Sequence, residues 1–496
     1  MITGLRPRPE WTTVDLLRAV AQQVGDAEAY VDAGTHLTFG GWDAAADGVA
    51  AGLRDLGVRP GDVVCLLLPS SADHAVCYQA AMRLRAVTSA VNGRLGPREV
   101  ASIVGRTRPR VTVIPDGSPV PPNAGTVVPR SALAAMARAP RDSDLPRPRP
   151  DDVVAVVWTS GTTADPKGAV FDHARLRATA GGAGVLTRPH DRRLNPLPFA
   201  HVGYATRAWD EIASAVTTVV TPTPWTAREA LRLLESERVT VAQGVPAQWE
   251  LLLRCEGIAA ADLSALRLAS TGGARVDPAL VRAIRARTGC PVVVRYASTE
   301  ASILSSTAVD DPPEVTATTV GRASAGVTLQ VVDGTGTALP PGVIGQVRAR
   351  SAAVMLGYWQ DPEATAAVLD ARGWLRTGDV GSLGADGVLT LVGRAGDMYV
   401  RGGYNVHPAA VEEVLARHPG VRQVAVVGVP DPVLGEVGVA CVVGDPAGGL
   451  DGLRAAVRAE LADYKAPDRL LALASLPLTG MHKVDRRALR GLAAAG

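Results

Sequence analysis

Short apolar runs closed off by glycine or proline, each followed by a segment with helical spacing, recur along most of this chain and limit its fold more than any other feature. Gly61–Pro69, GDVVCLLLP, is the plainest case. A continuous apolar run of this length, without polar alternation, suits a strand buried on both faces, as in parallel sheets covered by helices. Before it, TVDLLRAVAQQV predicts a helix over 13–24 after a threonine cap, and a second helix is predicted over 42–56. After it come predicted helices over 72–85 and 97–105, then strands over 111–114 and 153–158. Further on, helices are predicted over 227–237 and 278–287, with strands over 239–241 and 292–294. Strand then helix, repeated, is the pattern of an α/β architecture.

Three stretches depart from it. Residues 115–150, with PDGSPVPPNAG and RAPRDSDLPRPRPDD, read as surface connection. Between 320 and 392, VTLQVVD, GQVRAR and GVLTLVG alternate with glycine turns and suggest a small antiparallel barrel or sheet. A new βαβ texture then begins, with helices over 408–417 and 452–462 and strands over 421–427 and 440–443. At 496 residues the chain has room for roughly three domains of about 150 residues each.

Charge and composition exclude several function classes. Lys plus Arg number 51 and Asp plus Glu 49, a net of +2, so no broad field favours nucleic acid or an anionic membrane. No apolar stretch of membrane-spanning length occurs, and the N-terminal residues lack a signal-peptide pattern. Cys65, Cys77, Cys255, Cys290 and Cys441 are scattered without metal-ligand spacing. The expectation is a cytoplasmic protein with no nucleic-acid or membrane partner. Of the 51 basic residues, only Lys167, Lys465 and Lys483 are lysines. Coding bias accounts for the scarcity but not for the positions, because lysine is a compact point charge where arginine is a planar fork.

Lys167 lies in the most informative motif, Trp158–Val170, WTSGTTADPKGAV. Thr159, Ser160, Gly161, Thr162 and Thr163 leave an apolar strand together with Lys167, offering backbone N–H groups, hydroxyl donors and a positive charge. That is what a triphosphate requires. A Walker A loop is excluded, because Lys167 precedes glycine.

The segment is similar to the Ser/Thr/Gly-rich phosphate loop of the adenylate-forming superfamily, which includes acyl-CoA synthetases, firefly luciferase and nonribosomal peptide adenylation domains. Further segments resemble that family in order over nearly the whole chain. LPFAHVGY, 197–204, resembles the segment that puts an aromatic residue or histidine, here His201, beside the acyl pocket. STGGA, with Gly272, Gly273 and Ala274, resembles the loop beside adenine, and RYASTEAS resembles the signature whose tyrosine stacks on adenine. By position these are Tyr296, with Thr299 and Glu300 serving phosphate and magnesium. GYWQDPEAT (357–365) and GWLRTGDVG follow, with Asp379 where the family carboxylate accepts from both ribose hydroxyls. Arg394 opens the hinge segment, and LPLTGMHKVDRRALR carries the position of the C-terminal catalytic lysine, Lys483.

The resemblance implies a large N-terminal domain, 1–394, of stacked α/β subdomains plus a small β-barrel-like subdomain. It also implies a hinge at 395–396 and a small, mobile α+β C-terminal domain, 397–496. The implied reaction is ATP-dependent, AMP-forming activation of a small-molecule carboxylic acid, followed by transfer to the thiol of coenzyme A. Magnesium would be held by Glu300. Lys483 would reach the carboxylate and phosphate in one arrangement, and Arg401, Gly402, Gly403 and Tyr404 would form the thiol tunnel in the other. Departures at Ala164, Ala297, Gly396 and Met481–His482 leave open a ligase that retains only thioester formation from a supplied adenylate. A stand-alone enzyme loading a carrier protein also stays open. The resemblance leaves the acid unnamed and the assembly a monomer or homodimer.

Overall fold

A computed structural model describes residues 1–495 apart from 34, 140–143, 160–165, 274–275, 402–403 and 480–482. The chain divides into two compact units, one of Met1–Thr328 with Ala349–Leu375, the other of Leu329–Arg348 with Arg376–Gly496. Among the described residues no helix is long and apolar enough to cross a membrane.

The first unit opens with the helix Thr13–Val24, started by a capping box in which Thr12 accepts from the Asp15 N–H and Asp15 accepts from Thr12. Its Leu16, Leu17 and Val20 are fully buried. Two sheets follow. In the six-stranded sheet the spatial order is Thr126–Pro129, Val111–Ile114, Val63–Leu66, Val87–Ala90, Val153–Trp158, Gly168–Asp172. Only the last pairing is antiparallel. All four residues of Val63–Leu66 are buried, as its apolar run implies. In the nine-stranded sheet, six parallel strands (Val292–Ser298, Leu268–Gly272, Val241–Gly244, Arg192–Asn195, Thr217–Val220, Glu28–Asp32) lie between antiparallel edges.

The reading of 115–150 as surface connection needs correction. Thr126–Pro129 pairs in parallel with Val111–Ile114, and a short helix, Leu133–Ala137, follows. Val128 and Leu133 enter the same core as Leu16 and Leu17. The strand is four residues long and framed by glycine and proline, so turn-forming residues swamp its signal.

In the second unit, the region read as a barrel or sheet is a four-stranded sheet in chain order, ending in the antiparallel pair Leu375–Leu383 and Leu389–Arg394. Beyond it, the long antiparallel pair Val421–Asp431 and Gly435–Gly444 carries a core on each face. Val426, Ala440 and Val442 pack with the helices Pro408–Leu415 and Gly449–Glu460, while Ala425, Val427 and Cys441 pack with Arg486–Ala495. The cross-strand partners Gly428 and Gly438 both lie under the Tyr399 ring. A Cβ on Gly428 would come within 2.3 Å of Tyr399 Cβ, and one on Gly438 within 2.2 Å of its Oη.

Candidate active site

Open parallel sheets bind ligands beyond the carboxyl ends of their strands. At those ends the first unit gathers much of what the sequence nominated. Gly272 closes Leu268–Gly272 in register with Arg295, so near that a Cβ on Gly272 would meet the Arg295 carbonyl oxygen at 2.3 Å. Gly273 follows with φ +76°, a left-handed conformation that favours glycine. Ala274 lies outside the described residues. On the neighbouring strand Tyr296 is buried, with a register shift between it and Ala297. Thr299 and Glu300 form the turn into the antiparallel strand Ser302–Ser306. Ser302 takes a positive φ of 57° in making that return.

The turn aims a carboxylate at a tyrosine that sequence reasoning did not nominate. Tyr358 Oη donates to Glu300 Oε1 at 2.8 Å, and the Met355 N–H donates to the Glu300 carbonyl at 2.7 Å. The ammonium of Lys167 stands 5.3 Å from the centroid of the same tyrosine ring. One ring thus meets a cation on its face and a carboxylate at its hydroxyl. Tyr358 is held there because Val170 N–H donates to the Gly357 carbonyl at 3.0 Å and Trp359 N–H to the Gly168 carbonyl at 2.7 Å. The signal available was GYWQDPEAT, quoted as a motif with no role for its tyrosine.

The phosphate-loop segment connects the antiparallel strands Val153–Trp158 and Gly168–Asp172. Its base is closed by Thr159 N–H to the Lys167 carbonyl at 2.8 Å and Lys167 N–H to Thr159 Oγ1 at 3.1 Å. Ser160, Gly161, Thr162 and Thr163 lie outside the described residues. His201 caps the short helix Val202–Ala205, its Nδ1 accepting from Gly203 N–H at 3.1 Å. A neutral ring used this way carries its proton on Nε2. Behind it Phe199 and Tyr204 stack with centroids 3.6 Å apart.

The remaining nominated residues belong to the second unit. Asp379 is buried and faces Arg394 across an antiparallel pair, Arg394 Nε donating to Asp379 Oδ1 at 2.9 Å. Arg401 makes a two-pronged contact with Asp468, Nε to Oδ2 at 2.9 Å and Nη2 to Oδ1 at 2.7 Å. Tyr404 stacks on Tyr464 with centroids 4.5 Å apart, and the Lys465 ammonium lies 6.0 Å from the Tyr464 ring. Gly402 and Gly403 fall outside the described residues. At Lys483, Thr479 N–H donates to the Lys483 carbonyl at 2.7 Å, and Leu478 bridges Val484.

Among the described residues no group of three or more His, Cys, Asp or Glu could hold a metal. Glu300 nevertheless fits a magnesium ion that draws most of its ligands from water and phosphate, since it is one half-buried carboxylate with a single oxygen held by Tyr358.

Comparison with known proteins agrees with this layout. Residues 17–359 match the AMP-binding enzyme family, and residues 410–483 match the AMP-binding enzyme C-terminal domain. The chain is 33% identical, over 97% of its length and 98% of the relative's, to 3-[(3aS,4S,7aS)-7a-methyl-1,5-dioxo-octahydro-1H-inden-4-yl]propanoyl:CoA ligase of Rhodococcus jostii. It is 35% identical to feruloyl-CoA synthase of an Amycolatopsis species, over 94% of this chain and 95% of that one. The crystal structure of ATP-bound MatB from Rhodopseudomonas palustris superposes with a TM-score of 0.88 at 27% identity, covering 97% of this chain and 99% of that one. With both parts matched in order, the chain belongs to the adenylate-forming, AMP-binding enzyme family.

Proposed function

We propose that this protein is an ATP-dependent, AMP-forming acid–thiol ligase that makes acyl-CoA from a carboxylic acid, with the clustering of Lys167, Tyr358 and Glu300 as the observation that carries the reading. A carboxylate is a weak nucleophile facing a highly charged triphosphate. Its activation therefore depends on positioning and on neutralising charge around the phosphates. In the first step a carboxylate oxygen bonds to the α-phosphorus and pyrophosphate leaves. In the second, the thiolate of coenzyme A attacks the acyl carbon and AMP leaves.

Lys167 would set its charge against the phosphates, and Tyr358 would orient the Glu300 carboxylate. Magnesium held at Glu300 would neutralise part of the triphosphate charge. Gly272 and Gly273 would give adenine a flat approach to the backbone, with Tyr296 on its other side. Thr299 would meet phosphate, His201 the acyl end, and Asp379 the ribose hydroxyls. Lys483 would serve adenylation, while Arg401 and the glycines after it would serve the thiol.

Two steps using different groups call for a change of arrangement, and we place the hinge at 395–396, between the domains 1–394 and 397–496. Supporting this, a Cβ on Gly396 would meet nothing within 4 Å, and its φ is not in the left-handed range. The present arrangement does not need a glycine there. A carrier-protein thiol is an alternative acceptor.

The test is a carboxylic-acid panel with ATP, magnesium and coenzyme A, following pyrophosphate exchange and thioester together. Both activities are expected with one class of acid. Thioester from synthetic acyl-AMP but not from acid plus ATP would reduce the enzyme to its second step.

A further inference from the structure

Trp158 opens the phosphate-loop segment, and its indole lies across the neck from which that segment leaves the sheet. Its cross-strand partner is Gly168, where a Cβ would come within 3.1 Å of the ring. The indole N–H donates to Ser89 Oγ at 3.0 Å on the neighbouring strand Val87–Ala90, which fixes the tilt of the ring.

The guanidinium of Arg106 stands 4.8 Å from the centroid of the same ring. Arg106 is half-buried in the last turn of the helix Pro97–Thr107, where a cation complements the carbonyl end, and its Nε donates to the Ser102 carbonyl at 3.4 Å. The other prong leaves the helix altogether. Its Nη2 donates to the Pro166 carbonyl at 2.6 Å, 60 positions along the chain.

That carbonyl belongs to the peptide joining Pro166 to Lys167. The N–H of the same peptide donates to Thr159 Oγ1 at 3.1 Å. A peptide unit is planar, so holding its oxygen and its hydrogen fixes the plane, and with it the direction in which Lys167 departs. The ammonium of Lys167 then comes to the Tyr358 ring. Arginine suits this place because the face of its fork covers the indole while the edge donates, which a point charge cannot do at once.

We propose that Arg106 is a positioning residue for ATP, which braces the backbone of Lys167 against the Trp158 indole so that the lysine meets the phosphates. This rests on the acid–CoA ligase reading. Three phosphates are present in the first step and only one remains in the acyl adenylate. The brace therefore acts on adenylation and not on thioester formation.

The test separates the two half-reactions. Arg106→Met keeps an unbranched chain over the indole and removes the fork. The KM for ATP in pyrophosphate exchange is expected to rise about 10-fold, the lower end for a hydrogen bond from a charged group. Thioester formation from synthetic acyl-AMP and coenzyme A should keep its wild-type kcat/KM, which also shows that the variant folds. Arg106→Lys retains the charge without the fork and should behave as the methionine variant does. An unchanged KM for ATP, an equal loss in both half-reactions, or full rescue by lysine overturns the proposal and leaves the ligase reading intact.

If the wild type exchanges no pyrophosphate with any acid, the ligase reading fails, and thermal unfolding with nucleotide decides the role of Arg106 by itself. ATP with magnesium is then expected to raise the melting temperature of the wild type more than AMP does, and that difference should vanish in Arg106→Met. The same difference in both proteins, or none in the wild type, overturns the proposal.

Discussion

The hydroxyl of Tyr358 and Oε1 of Glu300 lie 2.8 Å apart although the residues are separated by 58 positions, and the same ring carries the Lys167 ammonium on its face. Tyr358→Phe keeps the ring and removes the donor. The rate of ATP–pyrophosphate exchange is expected to fall about 10-fold, at the lower end for a hydrogen bond to a charged group. The magnesium concentration giving half the maximal rate should rise with it. An unchanged magnesium dependence would show that Tyr358 does not orient the carboxylate.

Arg401 is held on both sides of its fork by Asp468, whose Oδ2 also accepts from Gly438 N–H at 3.1 Å. That contact, foremost among its causes, raises the guanidinium above its ordinary value. Arg401→Met and Asp468→Asn are each expected to lower stability by about 1 kcal/mol, since the pair is partly exposed. Thermal unfolding measures this. A raised KM for coenzyme A in the first variant alone would separate a role toward the thiol substrate from the structural one.

Two buried histidines set the acid limit of the fold. Burial pushes His74 and His173 down to about 4, and His173 Nδ1 accepts from Thr13 N–H at 3.2 Å, which requires the ring to be neutral. Both folded values lie below the ordinary histidine value, so the unfolded chain binds protons that the folded chain cannot. Stability is complete above pH 6.5 and is lost as pH falls toward 4. The upper limit is about 3 kcal/mol for each histidine. Melting temperatures at pH 7.5 and pH 5 check this, and the fall should shrink in a double His74→Asn, His173→Asn variant.

Gly272→Ala puts a methyl 2.3 Å from the Arg295 carbonyl oxygen, a contact with backbone that cannot swing aside. A loss of about 1–3 kcal/mol is expected, as for overpacking elsewhere. Because Tyr296 is the next residue along, the KM for ATP should rise as well. Wild-type behaviour in both would mean that the two strands part easily there.

Sequence pattern reached those parts of the fold whose cause is local. The helix Thr13–Val24 carries its own cap, Val111–Ile114 is rich in β-branched residues and Val153–Trp158 is an unbroken apolar run, so all three stand where expected. Glu28–Asp32 and Thr126–Pro129 are strands because a neighbouring strand pairs with them, which nothing in EAYVD or TVVP announces. The site divides in the same way. Glu300 and Lys167 were legible from ordered motifs, whereas the tyrosine joining them and the contact of Arg106 with Pro166 are products of chain crossing. Ser160–Thr163, Ala274, Gly402 and Gly403 rest on the sequence alone.

The Tyr399 ring over Gly428 and Gly438 decides more than local packing. Val421–Asp431 and Gly435–Gly444 are apolar on both faces, so sliding one past the other by a residue would exchange one valine for another at little hydrophobic cost. What forbids the slide is the ring. A one-residue slide of either strand would bring Val427, Val429, Val437 or Val439 into the aromatic plane where hydrogen now lies. A pair of residues with no side chains is therefore the index mark by which these two strands find their single alignment.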